Sequence, residues 1–151
     1  MSNLISSILN IFRKKKADTH RQSADNIMIE KALAGLGYNQ KNWQRILLDN
    51  KYWTCSKTDF QKVVDFNTIN EKKYILEQYD CDNFAFAFKA QVGMNHKLNN
   101  VGLVIDNSSG HAYNIVIFDD GTAELFEPQN DSWITPGQTE MYKFKRGIII
   151  L

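Results

Sequence analysis

The stretch Tyr79-Asp80-Cys81-Asp82-Asn83-Phe84-Ala85 sets a thiol between two acids, just ahead of an apolar run that ends at Phe88. In Phe84-Ala85-Phe86-Ala87-Phe88 the strict alternation has the period of a strand, yet every position is apolar, so the alternation separates no faces. Alanine is the strongest helix former, and Asp80, Asp82 or Asn83 can cap a helix starting here. The run is read as a fully buried helix headed by Cys81. That choice decides the fold, because the texture changes after it.

Downstream, Val101 to Ile105, Ala112 to Phe118, Thr122 to Phe126 and Gly147 to Leu151 are short, β-rich runs. They are separated by the turn signals Asp106-Asn107-Ser108-Ser109-Gly110 and Asp119-Asp120-Gly121. The second turn predicts a tight hairpin. Upstream, Ile27, Ile29, Leu33 and Leu36 predict an amphipathic helix capped by Asp25 and stopped near Gly35 and Gly37. A second helix is expected over about 40–49, an extended piece over 50–56 and a short third helix over about 58–66. Helices first and an antiparallel sheet afterwards make an α+β domain.

The chain of 151 residues is short enough for one core, and 43% hydrophobic with 23% charged residues is ordinary for a globular protein. A formal charge of +1 leaves no global field for nucleic acid. Cys55 and Cys81 make no disulfide framework and no zinc spacing, so both are read as free thiols in a reducing compartment. The division expected is an amphipathic and basic segment at 1–16, a polar linker at 17–25 and one domain at 26–151. Leu4, Ile5, Ile8, Leu9 and Phe12, followed by Arg13-Lys14-Lys15-Lys16, suit docking on a membrane surface or a larger protein assembly. The order of charge and apolar residues is wrong for a secretory signal. A protein of the cytoplasm or of a phage particle is expected.

Two later stretches answer Cys81: Gly110-His111-Ala112-Tyr113-Asn114 and Phe126-Glu127-Pro128-Gln129. A thiol becomes nucleophilic at a helix N-terminus or beside an imidazolium. If His111 opens one strand and Glu127 ends its neighbour, the carboxylate can hold one imidazole nitrogen while the other faces Cys81. Gln129 and Gln78 are candidate oxyanion donors. Each of these residues alone is more often structural; their order and their positions at element boundaries favour chemistry. Cys55, His20 and His96 have no such company and are read as structural.

The motifs YDCDNFA, GHAYN and FEPQND resemble those of the papain-like cysteine protease domain at the C-terminus of the Marasmius oreades agglutinin, and of related stand-alone phage-type domains. The resemblance covers roughly 74–133 and implies a papain-like fold with Cys81, His111 and Glu127 as a catalytic triad. It also implies a candidate calcium ion, for which Asp80 and Asp82 would be donors; no cofactor is otherwise required. The agglutinin's sugar-binding trefoil has no counterpart here, so the resemblance implies no lectin activity. The expected function is a cysteine hydrolase of peptidase or amidase type, working through an acyl-thioester on a protein or peptide. The alternative is a non-enzymatic papain-like module of a larger assembly such as a virion, docked through 1–16.

Overall fold

The computed structural model describes residues 19–151. The segment 1–16 and its docking role lie outside the described residues. The chain runs β1 (Gln22–Ala24), α1 (Asn26–Gly35), β2 (Trp43–Ile46), β3 (Tyr52–Thr54), α2 (Lys57–Asp65), α3 (Cys81–His96), β4 (Val101–Asp106), β5 (His111–Ile117), β6 (Ala123–Glu127) and β7 (Ser132–Ile134). A turn of 3-10 helix (Glu140–Tyr142) and β8 (Gly147–Ile150) follow. Six strands form one sheet in the order β2-β8-β4-β5-β6-β7, and β1 pairs with β3 apart from it. Every pairing in the large sheet is antiparallel except β2 with β8. Among the described residues the fold is thus mixed α and β, with three helices and a mostly antiparallel sheet.

β5 is buried along its whole length because both faces of the sheet are covered. Tyr113, Ile115 and Ile117 point into a core shared with Ile29 and Leu33 of α1, Tyr52 and Leu125. Val116 points the other way, into a core with Phe60 and Val63 of α2, Phe88 and Val92 of α3, and Phe126. The alternation along the strand produces this division. Asn114 faces α3 as well: its buried amide donates to the Ala85 carbonyl at 3.0 Å and to the Gly102 carbonyl at 3.1 Å. One side chain thereby ties α3 to the sheet, and the helix is buried only in part, not fully as expected, because Phe86 and Met94 are exposed to solvent.

The helix expected over 40–49 is instead a turn followed by β2. Trp43, Ile46 and Leu47 have helical spacing, but β2 pairs in parallel with β8, from Trp43 with Gly147 to Ile46 with Ile150. That pairing outweighs a local preference. Gln22–Ala24, placed by its composition in a polar linker, forms β1 against β3. Among the described residues, no helix is long and apolar enough to cross a membrane.

Candidate functional site

Cys81 opens α3, and the turn before it is fixed by its own acids. Asp80 and Asn83 form a capping box, with the Asp80 N–H donating to Asn83 Oδ1 at 3.1 Å. Asp80 Oδ2 also accepts from the Glu77 N–H at 3.1 Å, and Glu77 sits at φ +60° in the tight turn between Ile75 and Tyr79. Donor atoms of Asp80, Cys81 and Asp82 lie within 4.8 Å of one another. The sharing of a hydrogen bond with Asp80, together with burial and like charge, pushes the Asp82 carboxyl above its ordinary value.

His111 opens β5 and Glu127 closes β6, as the hairpin predicts. The pairing of Asn114 with Phe126 puts Glu127 level with Tyr113, two residues from His111 on the same face. Both side chains are buried, and His111 Nε2 bonds to Glu127 Oε2 at 2.8 Å. A second donor reaches the same oxygen: the Tyr142 hydroxyl, at 3.0 Å. The other carboxylate oxygen accepts from the Gln129 N–H at 3.1 Å. The imidazole is walled by Tyr113 and Tyr142, whose ring centroids lie 5.7 and 5.5 Å away. Burial, then Glu127, forces the Tyr142 hydroxyl well above the ordinary tyrosine value, so it stays a donor.

The structure therefore joins His111 to Glu127, and it places Cys81 against the same strand, where the Ala112 N–H reaches the sulfur. Among the described residues, no hydrogen bond links Cys81 to His111. By the alternation of β5, Ala112 and Asn114 face α3, while His111 shares the opposite face with Tyr113. Burial pushes the Cys81 thiol above its ordinary value, and Asp80 and Asp82 add to this against the pull of the Ala112 and Asp82 N–H groups. The pull of the helix N-terminus is thus outweighed by burial. Gln78 is exposed, Gln129 is half-buried, and neither side chain makes a hydrogen bond among the described residues. Both cysteines are free, and burial holds Cys55 up at about 12.

Asp80, Cys81 and Asp82 fit a calcium ion poorly by themselves. Calcium takes about six to eight oxygen ligands; here there are two carboxylates, one committed to the helix cap, and a soft sulfur. Sequence reasoning missed two members of the neighbourhood. Tyr142 lies in the polar stretch after β7, with nothing local to announce a role. Tyr74 is 45% exposed, stacks on Phe84 at 6.5 Å and lies close enough to feel the charges of Asp80, Cys81 and Asp82.

No curated protein matches the sequence. Among solved structures, a "PSL1a-E64 complex" aligns at TM-score 0.66 and 20% identity, covering 85% of this chain and 51% of that one. The Polyporus squamosus lectin, bound to a human-type influenza-binding epitope Neu5Aca2-6Galb1-4GlcNAc, aligns at TM-score 0.64 and 22% identity, over 87% of this chain and 49% of that one. Such identities show a likeness of fold, and the chain spans about half the length of these neighbours. The second is a lectin by its description, and what the alignments support is the mixed α and β architecture, not the papain-like placement expected above. A family model described as the ricin-type beta-trefoil lectin C-terminal domain matches residues 5–151. That match, with the Polyporus squamosus lectin among the neighbours, overturns the expected cysteine hydrolase and its protein or peptide substrate. The non-enzymatic alternative comes closer but is not matched. Since the match takes in nearly the whole sequence, the chain belongs to the ricin-type beta-trefoil lectin C-terminal domain family.

Proposed function

We propose that this chain has a carbohydrate-binding role and that the saccharide docks on the exposed patch at the head of α3. The observation that carries the reading is the family match over residues 5–151. The Polyporus squamosus lectin, solved with a sialylated epitope, supports the ligand class. This reading replaces the expectation of no lectin activity.

The patch has the chemistry a sugar needs, a flat apolar face beside acceptors for hydroxyls. Tyr74 offers an exposed ring, and Phe86, 54% exposed, lies one helical turn from Asp82 on the same side of α3. Asp80 and Asp82 supply carboxylate oxygens. In this reading Cys81, His111 and Glu127 are the support beneath the patch: the His111–Glu127–Tyr142 cluster fixes the start of β5, against which Cys81 and the head of α3 rest. A divalent cation at Asp80 and Asp82 would be a secondary element, relieving the like charge that raises Asp82, with water or sugar hydroxyls completing its shell. Calcium titration by calorimetry with Asp82→Asn as control tests that element; no heat above dilution removes it.

The main test is calorimetry of the full chain with a sialylated trisaccharide and its neutral counterpart. Tyr74→Ala and Asp82→Asn are expected to weaken binding of the neutral sugar by about tenfold each, roughly 1.4 kcal/mol, with circular dichroism unchanged. Binding that ignores both variants would place the saccharide elsewhere. The absence of any saccharide binding would overturn the carbohydrate role for this chain.

A further inference from the structure

At the far side of the fold's parallel pair, a groove of about 620 Å³ opens where the turn before β2, the turn between β4 and β5, and the residue before β8 meet. It shares no residue with the patch at the head of α3. Lys41 and Arg146 bring two positive charges to it, and Asn42, Gln44 and Asn107 bring three side-chain amides. Among the described residues, no acidic side chain lines it. None of these five side chains makes a hydrogen bond or an ion pair among the described residues, although most charged groups elsewhere on the sheet's rim, such as Arg45 with Glu30 and Lys57 with Glu124, have partners.

The floor of the groove is rigid. The Trp43 ring packs on Phe144 with centroids 4.5 Å apart. Beside it, Gly147 brings β8 so close to β4 that a Cβ would lie 2.0 Å from the Ile105 carbonyl oxygen and 2.8 Å from the Trp43 ring. Only glycine fits there. Ligand sites are concave, with a few convergent polar groups on a scaffold that is already formed. Two cations without a carboxylate select an anion, and Arg146 can grip a carboxylate through two parallel N–H donors. Three amides beside them, each both donor and acceptor, suit hydroxyl groups next to that anion.

We infer that this groove binds the carboxylate of an acidic saccharide. Lys41 and Arg146 take the charge, and Asn42, Gln44 and Asn107 take the neighbouring hydroxyls. The saccharide half of the inference rests on the carbohydrate-binding reading above; the anion half does not.

The test uses the full chain, calorimetry at low and moderate salt, and three probes: a sialylated trisaccharide, the same sugar without sialic acid, and inorganic sulfate. The sialylated sugar is expected to bind about tenfold more tightly than the neutral one, with the advantage shrinking as salt rises. The Lys41→Gln/Arg146→Gln double variant is expected to erase that advantage while leaving neutral-sugar binding in place. Asn107→Ala is expected to weaken the sialylated sugar and leave sulfate unchanged. An advantage that survives the double variant overturns this inference alone. Sulfate binding as tight as that of the sialylated sugar reduces the groove to a simple anion site and also overturns it. If no saccharide binds any variant, the carbohydrate-binding reading falls, and the saccharide half of this inference with it.

Discussion

Glu127 Oε2 accepts from two donors at once, His111 Nε2 at 2.8 Å and the Tyr142 hydroxyl at 3.0 Å. Each donor draws charge from the same oxygen, so each weakens the hold of the other. Tyr142→Phe removes one of them and leaves the carboxylate more available to imidazole. Glu127→Gln, which weakens both buried bonds, is therefore expected to cost more stability in thermal unfolding than Tyr142→Phe, which removes one; equal losses would show that the two donors do not share the carboxylate. For Cys81, burial and the two flanking acids predict sluggish alkylation by iodoacetamide. Its reactivity is expected to rise only above about pH 8.5, where a free thiol titrates, while Cys55 stays silent until the protein unfolds. Fast labelling of Cys81 near neutrality would contradict the unactivated thiol. The cluster itself was legible in the sequence: the turn chemistry at Asp119-Asp120-Gly121 and the strand texture on either side placed His111 and Glu127 together. What the sequence could not carry was the side of the strand. His111 and Ala112 differ by one residue, and that single step decides which of them faces α3. Nor could it single out Tyr142, which reaches Glu127 only through the path of the chain after β7.

At the scale of elements, α3 is held in place by its cap and by Asn114. The capping box of Asp80 and Asn83 was readable from residue types alone. The staple from Asn114 to the Ala85 carbonyl was not, since it joins residues 29 apart. Asn114→Ala leaves two carbonyls without this donor in a buried setting and is expected to cost about 1–3 kcal/mol. Thermal unfolding should register this as a fall in Tm of about 2–4 °C per kcal/mol for a chain of this size. An unchanged Tm would mean that packing alone seats the helix. Asp106, at the end of β4, pairs with His111 and organises that end of the sheet. Burial works against its charge, but donors from Ser108, the Phe144 N–H and Tyr113 outweigh that and hold its carboxyl below the usual range. A carboxylate depressed in the folded state contributes stability that is present above its unfolded pKa, about 3.9, and is lost as pH falls through the folded pKa. Asp106→Asn is expected to lower stability at neutral pH and to flatten the acid side of the stability curve in chemical denaturation; an unaltered acid limb would assign that slope to other carboxylates. The turn and strand over residues 39–46 show where local reading gives way. Trp43, Ile46 and Leu47 satisfy a helical period, yet their strand partner, β8, lies about a hundred residues later, beyond any local window.

At the scale of the molecule, a sheet covered on both faces presents two separate surfaces with unspent chemistry. One is acidic and aromatic, at the head of α3; the other is basic and rich in amides, beside the β2–β8 pair. The α+β architecture was legible because helical and strand textures occupy different halves of the sequence. The function was not, because the ordered Cys, His and Glu motifs suggest hydrolysis as long as only their order is visible. Burial and two flanking carboxylates push the thiol above its ordinary value, and the family match is a lectin one. The carbohydrate-binding role is tested most directly by presenting the full chain to an immobilised glycan panel containing sialylated and neutral lactosamine sugars, with the Tyr74→Ala and Lys41→Gln/Arg146→Gln variants alongside. Saccharide-selective binding that each variant weakens is the predicted result. Failure to bind any glycan, accompanied by cleavage of a peptide that is lost in Cys81→Ala, would contradict it.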